Sequence, residues 1–203
     1  MTDTDPKRAE TDDSGTDRAD AVEAVVCDVL PNGRPDDRRG HFESEPLAFV
    51  LGVQSFELRE LVLEEGARVT IGDRLSLDPP EATITEQYHI GYDDLSGAAQ
   101  SELEYAVEEI IEADEARFVE FFNDAQGITT RLHSLNLLPG IGNKLRNDII
   151  DERRRGPFAD FEELQERIGG LHRPREVLRD RIVEELCDDD LKYRIWADPA
   201  SDR

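Results

Sequence analysis

Between two stretches of helical period the chain reads Leu138-Pro139-Gly140-Ile141-Gly142, and this short string constrains the fold more than any other. Two helices that double back within so few residues need backbone conformations that most side chains resist. Glycine reaches positive φ at little cost. Pro139 fixes its own φ and pushes Leu138 out of the helical region, which ends a preceding helix. Ile141 is placed to plug the gap between the helices. The apolar periods predict helices over 128–137 and 142–155, so Leu135-Asn136-Leu137-Leu138-Pro139-Gly140-Ile141-Gly142-Asn143-Lys144 reads as a helix-hairpin-helix signature. The plainer alternative is an ordinary tight turn between two helices.

The pattern carries a chemistry. Gly140 and Gly142 present no side chains, so a phosphate can approach the backbone. The helix that follows offers its unpaired N–H groups and the positive end of its dipole. Lys144 adds a cation, and Asn143 and Arg146 lie in the same first turn. Contacts of this kind hold backbone phosphate and do not read sequence.

A weaker second copy follows. Gly156-Pro157 breaks the chain, Asp160 caps a helix over 161–168, and Ile168-Gly169-Gly170-Leu171 forms another glycine-centred turn. Pro174 suits the first turn of a last helix over 175–186. Two hairpins bury a shared core and can hold two phosphates. Arg131, Arg146, Arg173, Arg175 and Arg179 are candidates for that face. An ion pair with a neighbouring acid is the competing role for each.

Upstream, Val22, Val25, Val26, Val29 and Leu30 run into the turn signal Pro31-Asn32-Gly33. Further β-rich runs occupy 47–53, 56–63, 69–77 and 82–90. Five short strands suit a small closed or half-closed barrel, OB-like or SH3-like. From 98 to 123, Leu103, Val107, Ile110, Ile111, Phe118, Phe121 and Phe122 recur at helical spacing and predict one amphipathic helix of about 25 residues. The alternation in 191–196 predicts a short strand. The expected organisation is α+β. A disordered acidic tail (1–20) is expected to precede an OB-like β-barrel (21–93), a connecting amphipathic helix (94–126), an all-α tandem helix-hairpin-helix domain (127–188), and a C-terminal strand and tail (189–203).

The 203 residues hold 48 acids and 24 cations, a net charge of −24. Only Lys7, Lys144 and Lys192 are lysines; the other 21 cations are arginines. Acid excess with almost no lysine is a surface adapted to molar salt, where charges are screened within roughly 3 Å. It implies a salt-loving archaeon. It does not exclude nucleic acid, because residues 128–187 carry 11 cations and 11 acids, while the rest carries 13 cations and 37 acids. Cys27 and Cys187 exclude a disulfide framework, and His41, His89, His133 and His172 lack metal-ligand spacing. No cofactor or metal is expected. No apolar run approaches the ~18 residues of a membrane span, and the start is polar and acidic. The chain is expected to be cytoplasmic, with no membrane partner.

Tyr92-Asp93-Asp94-Leu95, Ser101-Glu102-Leu103, the run from Glu115 through Ala125, and Thr130-Arg131-Leu132-His133-Ser134-Leu135 through Gly142 resemble the archaeal domain-of-unknown-function family 655. The resemblance implies an OB-like barrel followed by a helix-hairpin-helix domain, and RNA or other nucleic acid as ligand. The genes of that family are described beside translation and transcription genes, which implies ribosomal or transcription components as further partners. The family usually carries lysine where this chain has Asn143. The resemblance implies no enzymatic activity. Two other classes remain: a nuclease or lyase, and a protein-interaction module. A lyase needs an activated lysine, and Lys144 is the sole lysine between Lys7 and Lys192. Barrels of this kind stack bases on aromatic rings; Phe42, Phe49, Phe56, Tyr88 and Tyr92 are the candidates.

Overall fold

A computed structural model describes residues 21–34 and 45–197. The acidic tail expected over 1–20, most of the charged loop containing Phe42, and the last six residues lie outside them.

Five strands, β1 (Val22–Leu30), β2 (Leu47–Gly52), β3 (Leu58–Leu63), β4 (Arg74–Asp78) and β5 (Ile84–His89), form one antiparallel sheet in the order β4-β1-β2-β3-β5. The sheet curls into a half-barrel. Ala24, Val26, Ala48, Val50, Leu61, Leu63, Leu75 and Leu77 fill its concave side. Alternate residues of the same strands, Val25, Cys27, Phe49 and Leu51, face outward and are equally buried. Period two explains the split, and the helices explain why both faces are apolar. Between the two edge strands, a side chain replaces part of a ladder: Gln87 donates to the Leu77 carbonyl (3.3 Å) and accepts from Arg59 (2.7 Å).

The outward face is covered by α1 (Gly97–Ala113), which is joined to the sheet through polar contacts as well as packing. Asp28 lies where the β1–β2 register shifts, and it accepts the Ser96 hydroxyl. Ser96 in turn caps α1 by accepting Ala99 N–H (3.0 Å). The burial of Cys27 pushes its thiol up to about 12, so it is an inert core residue.

The single helix expected over 98–123 is two. Asp114, at φ −133° and ψ 54°, separates α1 from α2 (Glu115–Asp124). Apolar spacing runs through the break, because α1 buries Ile110 and Ile111 while α2 buries Phe118, Val119 and Phe122. The chain changes direction without losing register. Three further helices follow: α3 (Asn143–Arg153), α4 (Phe161–Arg167) and α5 (Pro174–Cys187). α5 packs along α1, and Arg153 ties α3 to α2 by donating to the carbonyls of Phe122 (3.0 Å) and Ala125 (2.8 Å). One continuous core runs from the outer sheet face through α1 and α2 to Leu138, Ile141, Ile168 and Leu171.

Two more expectations are corrected. Residues 128–137 are not an α-helix; only a 3₁₀ turn, Ser134–Leu137, is present. Ile128, Thr129 and Thr130 are β-branched and lose χ1 freedom in a helix. The Thr129 hydroxyl accepts the N–H groups of Arg131 (3.3 Å) and Leu132 (3.0 Å), a local bond that competes with helix formation. Nor is there a strand at 191–196. The Glu185 carboxylate accepts the N–H groups of Ile195 (2.8 Å), Trp196 (2.8 Å) and Ala197 (3.1 Å), and Arg181 donates to the Tyr193 carbonyl. Side chains of α5 thus replace a sheet partner. Trp196 settles on Phe118 and Phe121, with ring centroids 5.0 and 5.2 Å away.

Candidate functional site

The bend at 138–142 is built as the sequence demands. Leu138 and Ile141 are buried, and Ile141 N–H donates to the Leu138 carbonyl (3.2 Å), which closes the turn. Gly140 sits at φ +78°, a conformation that costs an L side chain roughly 1–2 kcal/mol. Gly142 is the N-cap of α3 at φ −79° and ψ 179°, ordinary extended backbone. What distinguishes Gly142 is space: a Cβ built there, or on Gly140, meets nothing within 4 Å. No side chain caps α3, and its first turn holds no acid. The first amides of the helix therefore face solvent with the positive end of the dipole behind them.

The polar surroundings are unusual for so acidic a chain. Residues 125–147 contain no Asp or Glu at all, although the chain has 48. Three of its five asparagines, Asn136, Asn143 and Asn147, lie in this run. All three surround Arg146, which donates to Asn136 Oδ1 (3.1 Å), Asn143 Oδ1 (3.2 Å) and Asn147 Oδ1 (2.8 Å). Asn136 also donates to the Ile141 carbonyl (3.0 Å), so it links the guanidinium to the bend. Amide oxygens orient a guanidinium without cancelling its charge. Most arginines elsewhere in the fold meet a carboxylate instead. Lys144 is exposed and forms no ion pair among the described residues.

His133 stands behind this cluster. Its Nδ1 accepts Leu135 N–H (3.2 Å), and desolvation, Arg153 and Arg146 hold its pKa below the usual histidine value. The ring thus registers the positive field of the site. On the other side, the bend faces α5 across a cleft of about 530 Å³, where Arg181 and Glu184 form the opposite wall. Arg181 is held by the fully buried Glu185 (2.7 Å) and reaches Glu184 (2.8 Å).

The second turn is different. Leu171 N–H donates to the Ile168 carbonyl (3.0 Å), which repeats the closure of the first bend. Gly169 is open, but a Cβ on Gly170 would lie 3.2 Å from Leu145 Cδ1. Arg173 takes the left-handed conformation at the N-cap of α5. Its guanidinium pairs with Glu176 (3.2 Å) in the first turn of that helix, while Arg175 pairs with Glu115 (2.7 Å). Pro174 at N1 has no N–H to offer.

The predicted site residues therefore separate. Leu138, Gly140, Ile141, Gly142, Asn143, Lys144 and Arg146 come together at the first bend. Gly169, Gly170, Arg173 and Arg175 belong to a second surface with its own carboxylates. Arg131 stands on a separate loop, without an ion pair among the described residues. Asn136, Asn147, His133 and the cleft residues Arg181 and Glu184 were not singled out from sequence; the acid-free run was the signal that marks the first three. Most of the described barrel aromatics serve packing: Phe49 and Phe56 are buried and Tyr92 packs against the core, whereas Tyr88 on β5 is exposed. Among the described residues no cluster could hold a metal ion, and no helix is long and apolar enough to cross a membrane.

Comparison with known proteins gives concordant results. An uncharacterised protein of Methanocaldococcus jannaschii, MJ0038, is 38% identical over 168 residues, covering 82% of this chain and 74% of that protein. The crystal structure of Af1531 from Archaeoglobus fulgidus superposes with a TM-score of 0.80 at 38% identity, covering 87% of this chain and 99% of the other. The model of a protein family of unknown function, DUF655, matches residues 20–198. With that match spanning the half-barrel, the helices and the bend, the chain belongs to the DUF655 family.

Proposed function

We propose that this protein binds nucleic acid, RNA in preference to DNA, without catalysing a reaction on it. The observation that carries the reading is the open N-terminus of α3: a side-chain-free cap, no acid in the first turn, and an arginine held by three neutral asparagines. In this reading a phosphate oxygen accepts backbone N–H groups of the first turn of α3, and Lys144 and Arg146 supply charge. The bend acts as the hairpin of a helix-hairpin-helix unit in which a 3₁₀ turn replaces the first helix. The half-barrel, read as OB-like, serves as scaffold, because its described aromatic rings are spent mainly on packing. The choice of RNA, and of ribosomal or transcription components as further partners, follows the gene surroundings implied by the family resemblance.

Binding through fixed amides depends little on released counterions. The affinity should therefore fall with salt less steeply than for a lysine-rich surface making many phosphate contacts. Gly142→Asp is the decisive variant. Asp is a strong N-cap and complements the dipole, so the folded protein should keep or slightly raise its melting temperature. The same carboxylate occupies the amides and repels phosphate. RNA affinity, read by fluorescence anisotropy, should drop by about tenfold or more. Unchanged affinity in the folded variant would refute the bend as the binding site.

A further inference from the structure

Where the apolar pattern suggests a helix, residues 127–133 form a small ordered finger. Gly127 and His133 pair across its base. Ile128 and Thr129 both donate N–H to the Leu132 carbonyl (2.8 and 3.0 Å), and the Thr129 hydroxyl holds the tip by accepting from Arg131 and Leu132. Every residue from Gly127 to Arg131 is exposed, including 39% of Ile128. A loop that uses a hydroxyl to fix its own backbone is preorganised rather than slack.

The position of the finger matters as much as its shape. It lies within the acid-free run, and His133 at its base feels the charge of Arg146 from the bend. Ser134, the next residue, is anchored by exchanging hydrogen bonds with Gln126 (3.1 and 3.0 Å). The base of the finger is thus fixed beside the α3 bend, and both lie in one stretch without a carboxylate. Arg131 forms no ion pair among the described residues, in contrast to Arg173, Arg175 and Arg179.

We propose that residues 127–133 are a second contact element for the nucleic-acid strand seated at the bend, with Arg131 on a neighbouring phosphate and Ile128 against a sugar or base. This inference rests on the binding role proposed above for the bend. Guanidinium groups suit phosphate oxygens, and a single exposed isoleucine gives an apolar contact too small for a stable protein interface. The preferred ligand is then a strand long enough to reach from the bend to the finger.

The test is anisotropy titration of a labelled single-stranded RNA against Arg131→Glu, Ile128→Ser, Gly142→Asp and the control Arg175→Glu. Each variant is first checked for native circular dichroism. Arg131→Glu should weaken binding about tenfold and Ile128→Ser about threefold, with little change in Arg175→Glu. Loss in Gly142→Asp but not in Arg131→Glu overturns the finger and leaves the bend standing. Loss in Arg131→Glu alone removes the bend and with it the shared strand. Equal loss in Arg131→Glu and Arg175→Glu reduces the effect to net charge and overturns the proposal. So does unchanged RNA affinity combined with loss of self-association of Arg131→Glu in sedimentation, which assigns the finger to contact between copies.

Discussion

The two glycine-centred turns use nearly the same punctuation and present opposite surfaces. Both close with an N–H to the carbonyl three residues back, from Ile141 to Leu138 and from Leu171 to Ile168. At the first, glycine leaves open space in front of an uncapped helix. At the second, Gly170 permits close packing on Leu145, Pro174 removes a donor, and Glu176 brings a negative charge that Arg173 takes up. A glycine doublet therefore does not by itself mark an anion site. The side chains within one helical turn decide whether the amides are offered to a ligand or surrounded by the protein's own charges.

The largest effect should come from the scaffold half. Glu185 on α5 is fully buried, accepts three backbone N–H groups of the C-terminal segment, and pairs with the buried Arg181. Glu185→Ala leaves that guanidinium without its buried partner and frees residues 195–197. The expected loss in urea denaturation is about 3–5 kcal/mol. A loss below 1 kcal/mol would mean that α5 and the second turn are not the anchor that sets them apart from the first.

A matched pair of glycine substitutions then sharpens the contrast. Gly170→Ala pushes a methyl group toward Leu145 Cδ1 at 3.2 Å and should cost about 1 kcal/mol of stability with RNA affinity unchanged. Gly142→Ala meets open space at an ordinary φ and should be close to neutral in stability. Its methyl group stands where the phosphate approaches, so affinity should fall severalfold. If the two variants exchange these behaviours, the roles assigned to the two turns are reversed.

Much of this arrangement is legible in the sequence because breaks and periods carry it. The five strands lie between Gly and Pro signals, and the bend at 138–142 has a positive-φ Gly140 and a buried Ile141, although Ile141 plugs no gap between two α-helices because none directly precedes the bend. Periodicity fails where a break keeps register. Ile111 and Phe118 are seven residues apart, so both are buried although Asp114 separates their helices. It fails again at 191–196, where alternation suits a strand but a buried carboxylate takes the amides. The finger is missed for a related reason. Ile128, Leu132 and Leu135 have helical spacing, yet one threonine hydroxyl redirects the backbone. The proposed binding face is better marked by composition than by any motif. In a chain so rich in acid, 23 consecutive residues without one, with Arg131, Lys144 and Arg146 among them, form a net-positive stretch that the overall charge conceals.

The smallest expected effect is a pH dependence that separates the turns without mutation. His133 lies beside the first and His172 in the second. Desolvation comes first, then Arg153 and Arg146, in lowering the His133 pKa below its ordinary 6.5. The unfolded chain therefore takes up this proton at higher pH than the folded one. The contribution to stability is intact above pH 6.5 and is lost as pH falls from 6.5 through the folded value. An anion seated at the bend offsets the field of the two arginines and favours the charged ring. In an NMR titration, saturating RNA should therefore shift the His133 midpoint upward and leave the His172 imidazole signals in place. A ligand-induced shift at His172 with none at His133 would place the anion at the second turn. The uncapped helix of the first would then be an open end without a ligand.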